Sequence, residues 1–153
     1  MNKNLINLCV AETHKHVRKV QEKLLVFIRE LQDRGIVHDN SKFEEPELSI
    51  FAENTEKLAK TQYGTPEYQE LLVQVKPAID HHYSKNRHHP EYHRNGIEDM
   101  DLVDIVEMLS DWIAATERVK DGNIRKSIEI NAGRYNLSPQ LVRILTNTVD
   151  RYF

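Results

Sequence analysis

The stretch Leu102-Val103-Asp104-Ile105-Val106-Glu107-Met108-Leu109-Ser110-Asp111-Trp112-Ile113-Ala114-Ala115-Thr116-Glu117-Arg118-Val119-Lys120-Asp121-Gly122 carries the periodicity that decides the fold class. Leu102, Ile105, Leu109, Trp112, Thr116 and Val119 recur at steps of three and four, which puts them along one side of a long α-helix. Asp121-Gly122 closes it, because glycine readily takes the left-handed conformation that ends a helix. The same spacing recurs upstream, where Val17, Val20, Leu24, Phe27, Ile28 and Leu31 form a stripe ending at Arg34-Gly35. Ser41-Lys42-Phe43-Glu44 has the form of a capping box and predicts a second helix, with Phe43, Ile50, Phe51 and Leu58 as its buried positions. Thr65-Pro66-Glu67 opens a third, carrying Tyr68, Leu72, Val75 and Ile79 with a kink at Pro77. Residues 85–99 read as a polar loop or short helical turn. Two shorter helices follow, at about 123–135 and about 139–151, the last started by Leu137-Ser138-Pro139. With five Gly, five Pro and no alternating apolar pattern, the chain is expected to be all-α, with about six helices.

A length of 153 residues suits a single domain, read here as 1–153. The apolar share of 39% and charged share of 29% fit a globular chain and exclude a disordered one. A net charge of −3 argues against binding duplex nucleic acid, which calls for a basic face. Apolar runs such as Leu24-Leu25-Val26-Phe27-Ile28 are too short to span a bilayer, and the N-terminus has no signal-type apolar stretch. The lone Cys9 excludes an internal disulfide and suits a reducing compartment, so a cytoplasmic location is expected. A homodimer is left open.

Five of the eight histidines fall between His81 and His93, and His38-Asp39, His14 and His16 precede them. With one cysteine, any metal site must be built from nitrogen and oxygen, the donors that divalent Mn, Fe, Co, Ni and Zn accept in the absence of thiolate. At 100° per residue His82 shares the face of Leu72, Val75 and Ile79, while His81 points the opposite way. An imidazole on that inward face must be satisfied by a hydrogen bond or a metal, and His88 and His89 follow closely enough to fold back on it. On the long helix Asp104, Glu107, Asp111 and Arg118 line one face opposite the apolar stripe. For Asp104 and Glu107 a solvated charged face is the expected reading. Asp111 precedes small residues that leave room for a ligand. His14 and His16 flank the stripe of the first helix, and spacing does not choose between them. Lys42, three residues after Asp39, is placed to neutralise a phosphate.

The ordered set His16, His38-Asp39-Asn40-Ser41-Lys42, His82, His88-His89 and Asp111 resembles the HD superfamily of metal-dependent phosphohydrolases. Closer still, His82 to Tyr92 with Glu107 to Trp112 is similar to an uncharacterised family of small phage and bacterial proteins. The HD resemblance implies a helical bundle with a central metal site of two divalent ions. His38, Asp39 and Asp111 would form the basic site, and His16, His82, His88 and His89 could build a second position. It implies hydrolysis of a small phosphate-containing substrate such as a nucleotide or dinucleotide, with the ions clamping phosphate and activating water. Asp39 would bridge the ions, Lys42 and Arg87 or Arg118 would offset phosphoryl charge, and His93 is either a proton donor to the leaving group or an ordinary surface histidine beside Tyr92. The loop after His89 reads Pro90-Glu91-Tyr92-His93 in place of the Asp-Gly-x-Gly-Tyr-Pro element of the cyclic-di-GMP-cleaving branch, which argues against that substrate. Two other classes remain alternatives: a metal-stabilised, non-catalytic interaction protein and an HD-like di-iron oxygenase.

Overall fold

The computed structural model describes residues 2–61 and 65–153, the side chain of residue 59 excepted. Among these residues there are six α-helices and no strand, so the chain is all-α. It divides into two compact units, Met1–Val37 and His38–Phe153.

The first unit is helix α1, Lys3–Val37, none of whose residues is buried. It runs through Gly35 rather than stopping there, and its last basic residue, Arg34, pairs with Glu30 at 3.0 Å. His14 and His16 are both exposed on it.

The second unit holds α2 (Glu47–Lys60), α3 (Pro66–Lys85), α4 (Leu102–Glu117), α5 (Ile124–Arg134) and α6 (Pro139–Tyr152). Four of these begin on side-chain caps that satisfy the first free N–H groups of the helix. Thr65 accepts from Tyr68 N, Asn123 from Lys126 N and Ser138 from Leu141 N, while Asp101 and Asp104 make a reciprocal capping box at the start of α4. The core lies among α4, α5 and α6: Met108, Leu109, Trp112 and Ile113 pack with Ile128, Leu137, Leu145 and Val149. Trp112 and Tyr135 stack with ring centroids 6.4 Å apart. Helix α3 contributes Leu71, Val75 and Ala78 and continues unbroken through Pro77.

Several expectations need correction. Ser41 to Glu44 does not cap a helix: residues Asn40–Phe43 form a single 3-10 turn, and α2 starts later, at Glu47 behind Pro46. Phe43 therefore sits off the α2 face and is 74% exposed. Residues 85–99 hold two more 3-10 turns, Pro90–Tyr92 and Gly96–Asp99. The largest correction is on α4. Leu102 is exposed, because it occupies the first turn before the core begins, whereas Asp104 is fully buried. Asp104 stands one turn before Met108, so the acidic face adjoins the apolar one and is turned inward with it.

Candidate metal centre

Three segments of the second unit bring the chemistry together: the 3-10 turn with His38 and Asp39 before it, the C-terminal end of α3 with the loop to His93, and α4. Asp39 caps the turn with φ 57° and ψ 17°, in the left-handed region. That conformation is uncommon outside glycine, although Asp and Asn tolerate it best. His82 is on the buried face of α3 and is 5% exposed, as its register requires, and His88 is 1% exposed.

Around Asp39 the donors form two groups. Its Oδ1 lies 3.2 Å from His82 Nε2 and 3.5 Å from His88 Nε2. His89 Nε2 is 2.9 Å from His82 Nε2 and joins the same group. On the other side, His38 Nε2 lies 3.6 Å from Asp39 Oδ2 and 3.6 Å from Asp111 Oδ1. Both groups could hold a metal ion. Nitrogen ligands stand about 2.0–2.1 Å from a tetrahedral ion, which places neighbouring donors roughly 3.3 Å apart, close to the separations in the first group. More decisive, Asp39 Oδ1 and His88 Nε2 are buried and have no hydrogen-bond partner. Buried polar atoms are costly when unpaired, and a carboxylate oxygen beside imidazole nitrogens is a donor set that fits a divalent cation.

Two carboxylates behind the histidines set their orientation. Glu47, fully buried, accepts from His82 Nδ1 at 2.9 Å through one oxygen and from His81 Nδ1 at 2.7 Å through the other. Glu107 Oε1 faces His38 Nδ1 at 2.9 Å and His88 Nδ1 at 3.2 Å. A carboxylate accepts, so these Nδ1 atoms carry the protons and each Nε2 is turned to the centre, the usual arrangement behind metal-bound imidazole. His38, His88 and Glu107 also meet as a third donor group, but with the two Nδ1 atoms donating to it, Glu107 serves as their orienting acceptor. His81 thus does not point away, as its register predicts, but shares Glu47 with His82. Ser41 Oγ, freed from capping, accepts from Asn86 Nδ2 at 2.8 Å and lies 3.3 Å from His82 Nδ1.

The charges follow from this packing. Hydrogen bonds to Asp111 and then Glu107 outweigh burial and push the His38 imidazole up to about 10. Burial works against the Asp39 carboxylate, but the adjacent His82 imidazole and the Lys42 hydrogen bond overcome it and hold it well below the usual carboxylate range. Burial works against the Asp111 carboxylate too, and the His38 hydrogen bond still lowers it. Burial, reinforced by the charges of His88 and His82, takes His89 down to about 3, so it is neutral and ready to donate a lone pair. Two results are expected. A raised folded-state pKa stabilises fully below the ordinary value of 6.5 and is lost as pH climbs through about 10. Chelator-treated protein should thus lose thermal stability across that window, and His38→Ala should flatten the slope; an unchanged slope would assign it to another group. Glu47→Gln, which weakens the hold on His82, should cost roughly 10–100-fold in metal affinity in a competition titration with helicity intact. Equal affinity would show that Ser41 and Asn86 suffice to orient His82.

Of the other expected site residues, Lys42 Nζ is 2.6 Å from Asp39 Oδ2 and 44% exposed at its side chain. His93 Nε2 donates to the Arg87 carbonyl at 2.8 Å and lies 3.7 Å from Asp104, on the clamp described next rather than among the donors. Arg87 grips Asp104 through Nε at 3.1 Å and Nη2 at 2.9 Å. Arg118 is exposed at the end of α4. His16 belongs to the first unit and is not among the grouped donors. Sequence reading missed Glu47 and dismissed Glu107. Glu47 had a signal, since it continues the Ile50 and Leu58 face of α2 back by one turn, with the buried Asn54 between them.

Residues 6–151 match the family described as a family of unknown function (DUF5662), and the chain belongs to that family. No curated protein and no solved structure matches it.

Proposed function

We propose that this DUF5662 member is a divalent-metal-dependent phosphohydrolase acting on a small phosphoester, with a nucleotide or dinucleotide as the substrate class that the HD resemblance supplies. One observation carries the reading: the two oxygens of Asp39 face two separate histidine-containing donor groups, and the inner oxygen is buried with no hydrogen-bond partner. The residues would hold two ions, one at His38, Asp39 and Asp111 and one at Asp39, His82, His88 and His89. Bound ions of the Mn, Fe, Co, Ni or Zn type would supply Lewis acidity toward phosphate and lower the pKa of water.

The chain's own residues do the rest. Glu47 and Glu107 keep the donor imidazoles of His82, His38 and His88 from turning. The half-exposed side of the centre is that of His38 and Asp111, with side chains 28% and 30% exposed, so substrate reaches it there. Lys42 stands on the same side, against the outer oxygen of Asp39, where an ammonium offsets phosphoryl charge. Arg87 is engaged by Asp104 and is not needed for that task. His93, held on the Arg87 carbonyl, is given no role.

The test is a phosphoester panel run with protein loaded in turn with each of the five metals. Turnover of at least one ester, dependent on added metal, is expected. Tightly bound metal with no turnover on any ester would favour the metal-stabilised interaction protein instead. Lys42→Met should lower turnover of accepted esters about 10–100-fold while metal content stays the same. Unchanged kinetics would take Lys42 out of the site.

A further inference from the structure

We infer that the two donor sets are unequal: the inner set retains its ion, and the outer set exchanges its ion freely. The inference rests on the dinuclear part of the reading above. The inner set offers four protein donors, three imidazoles and Asp39 Oδ1, while the outer set offers three, one imidazole and two carboxylates. Four ligands close a tetrahedral ion off from solvent, whereas three leave a coordination position open.

Burial separates the sets in the same direction. The side chains of His82 and His88 are 6% and 2% exposed, against 28% and 30% for His38 and Asp111. Preorganisation adds to this at His82 and His89, while His88 shares Glu107 with His38 of the outer set. His82 is fixed from behind by the fully buried Glu47, with Ser41 and Asn86 beside it. His88 is held by Glu107 and is wedged between the rings of His38 and His89, at 4.4 and 4.1 Å. His89 is backed by the Tyr83 ring at 4.7 Å. Imidazoles locked in place lose little freedom on binding, so the inner donors bind at lower entropic cost. Nitrogen-rich donors also favour later transition ions, while the carboxylate-richer outer set accepts harder ones such as Mn. Among the described residues, Asp39 is the ligand that both sets share, so its loss would remove both.

Cobalt(II) is the probe, because its visible absorption is intense in tetrahedral sites and weak in higher coordination. The full chain, loaded with excess cobalt and passed through a desalting column, is expected to keep one equivalent with a tetrahedral spectrum and to release a second. Asp111→Asn should keep the retained ion and its spectrum and lose the exchangeable one. His89→Gln should lose the retained ion and its intense band, with far-UV circular dichroism confirming the fold. Retention of two ions with equal stability, or loss of the retained ion in Asp111→Asn, would overturn the inequality alone. No cobalt bound by the wild-type chain would overturn the dinuclear reading and this inference with it.

Discussion

If two ions are held and phosphoesters are hydrolysed as proposed, Asp39→Ala is expected to strip both ions and to lower turnover by at least about 10³-fold, the effect of losing several kcal/mol of charge stabilisation in the transition state. Among the described residues, no other side chain contributes an oxygen to both of these donor groups. Alanine also carries a steric cost at the φ of 57° found here, so Asp39→Asn is the cleaner companion: asparagine tolerates that conformation but supplies no anionic oxygen. Both variants should keep their helical circular dichroism, since Asp39 takes no part in the α4–α6 core. Metal content and rate are measured together. Full activity in either variant would remove the metal-dependent reading. Loss of the fold on losing the ion would mean that metal binding is coupled to folding.

Asp104→Ala should lower stability by about 2–3 kcal/mol, a drop of roughly 5–10 °C in melting temperature for a chain of this size. Asp104 is fully buried, accepts two bonds from Arg87 and a third from Asp101 N, and closes the capping box of α4. The expected loss lies below that of a wholly buried pair because the Arg87 side chain is 42% exposed and can turn to water. The effect should not stop at stability. Arg87 immediately precedes His88, so freeing it loosens the loop that presents His88 and His89, and metal affinity should fall as well. An unchanged melting temperature would show that the clamp is dispensable. A lower melting temperature with unchanged affinity would confine its role to folding.

The sequence was most legible where one periodic signal dominated. The caps at Thr65 and Ser138 mark the starts of α3 and α6, and the register of α3 correctly buries His82. It was least legible where polar residues sit on an inward face. Anchoring the α4 stripe on Leu102 tilted the assumed buried face away from Met108, and Asp104 and Glu107 then looked solvated. Their burial depends on partners distant in sequence, His38, Arg87 and His88, which no local pattern announces. Ser41 misled in a related way. A hydroxyl suited to capping was used instead to brace Asn86 beside His82. The donors themselves, being chemically distinctive, were easier to recognise than the acids that hold them.

The backbone at Asp39 has a consequence for how such a chain could vary. Glycine would occupy φ 57° with no steric penalty, whereas an aspartate is held there by its surroundings. An aspartate at this φ gives up the backbone ease that glycine would have, and in return the turn carries a carboxylate placed between the two donor groups.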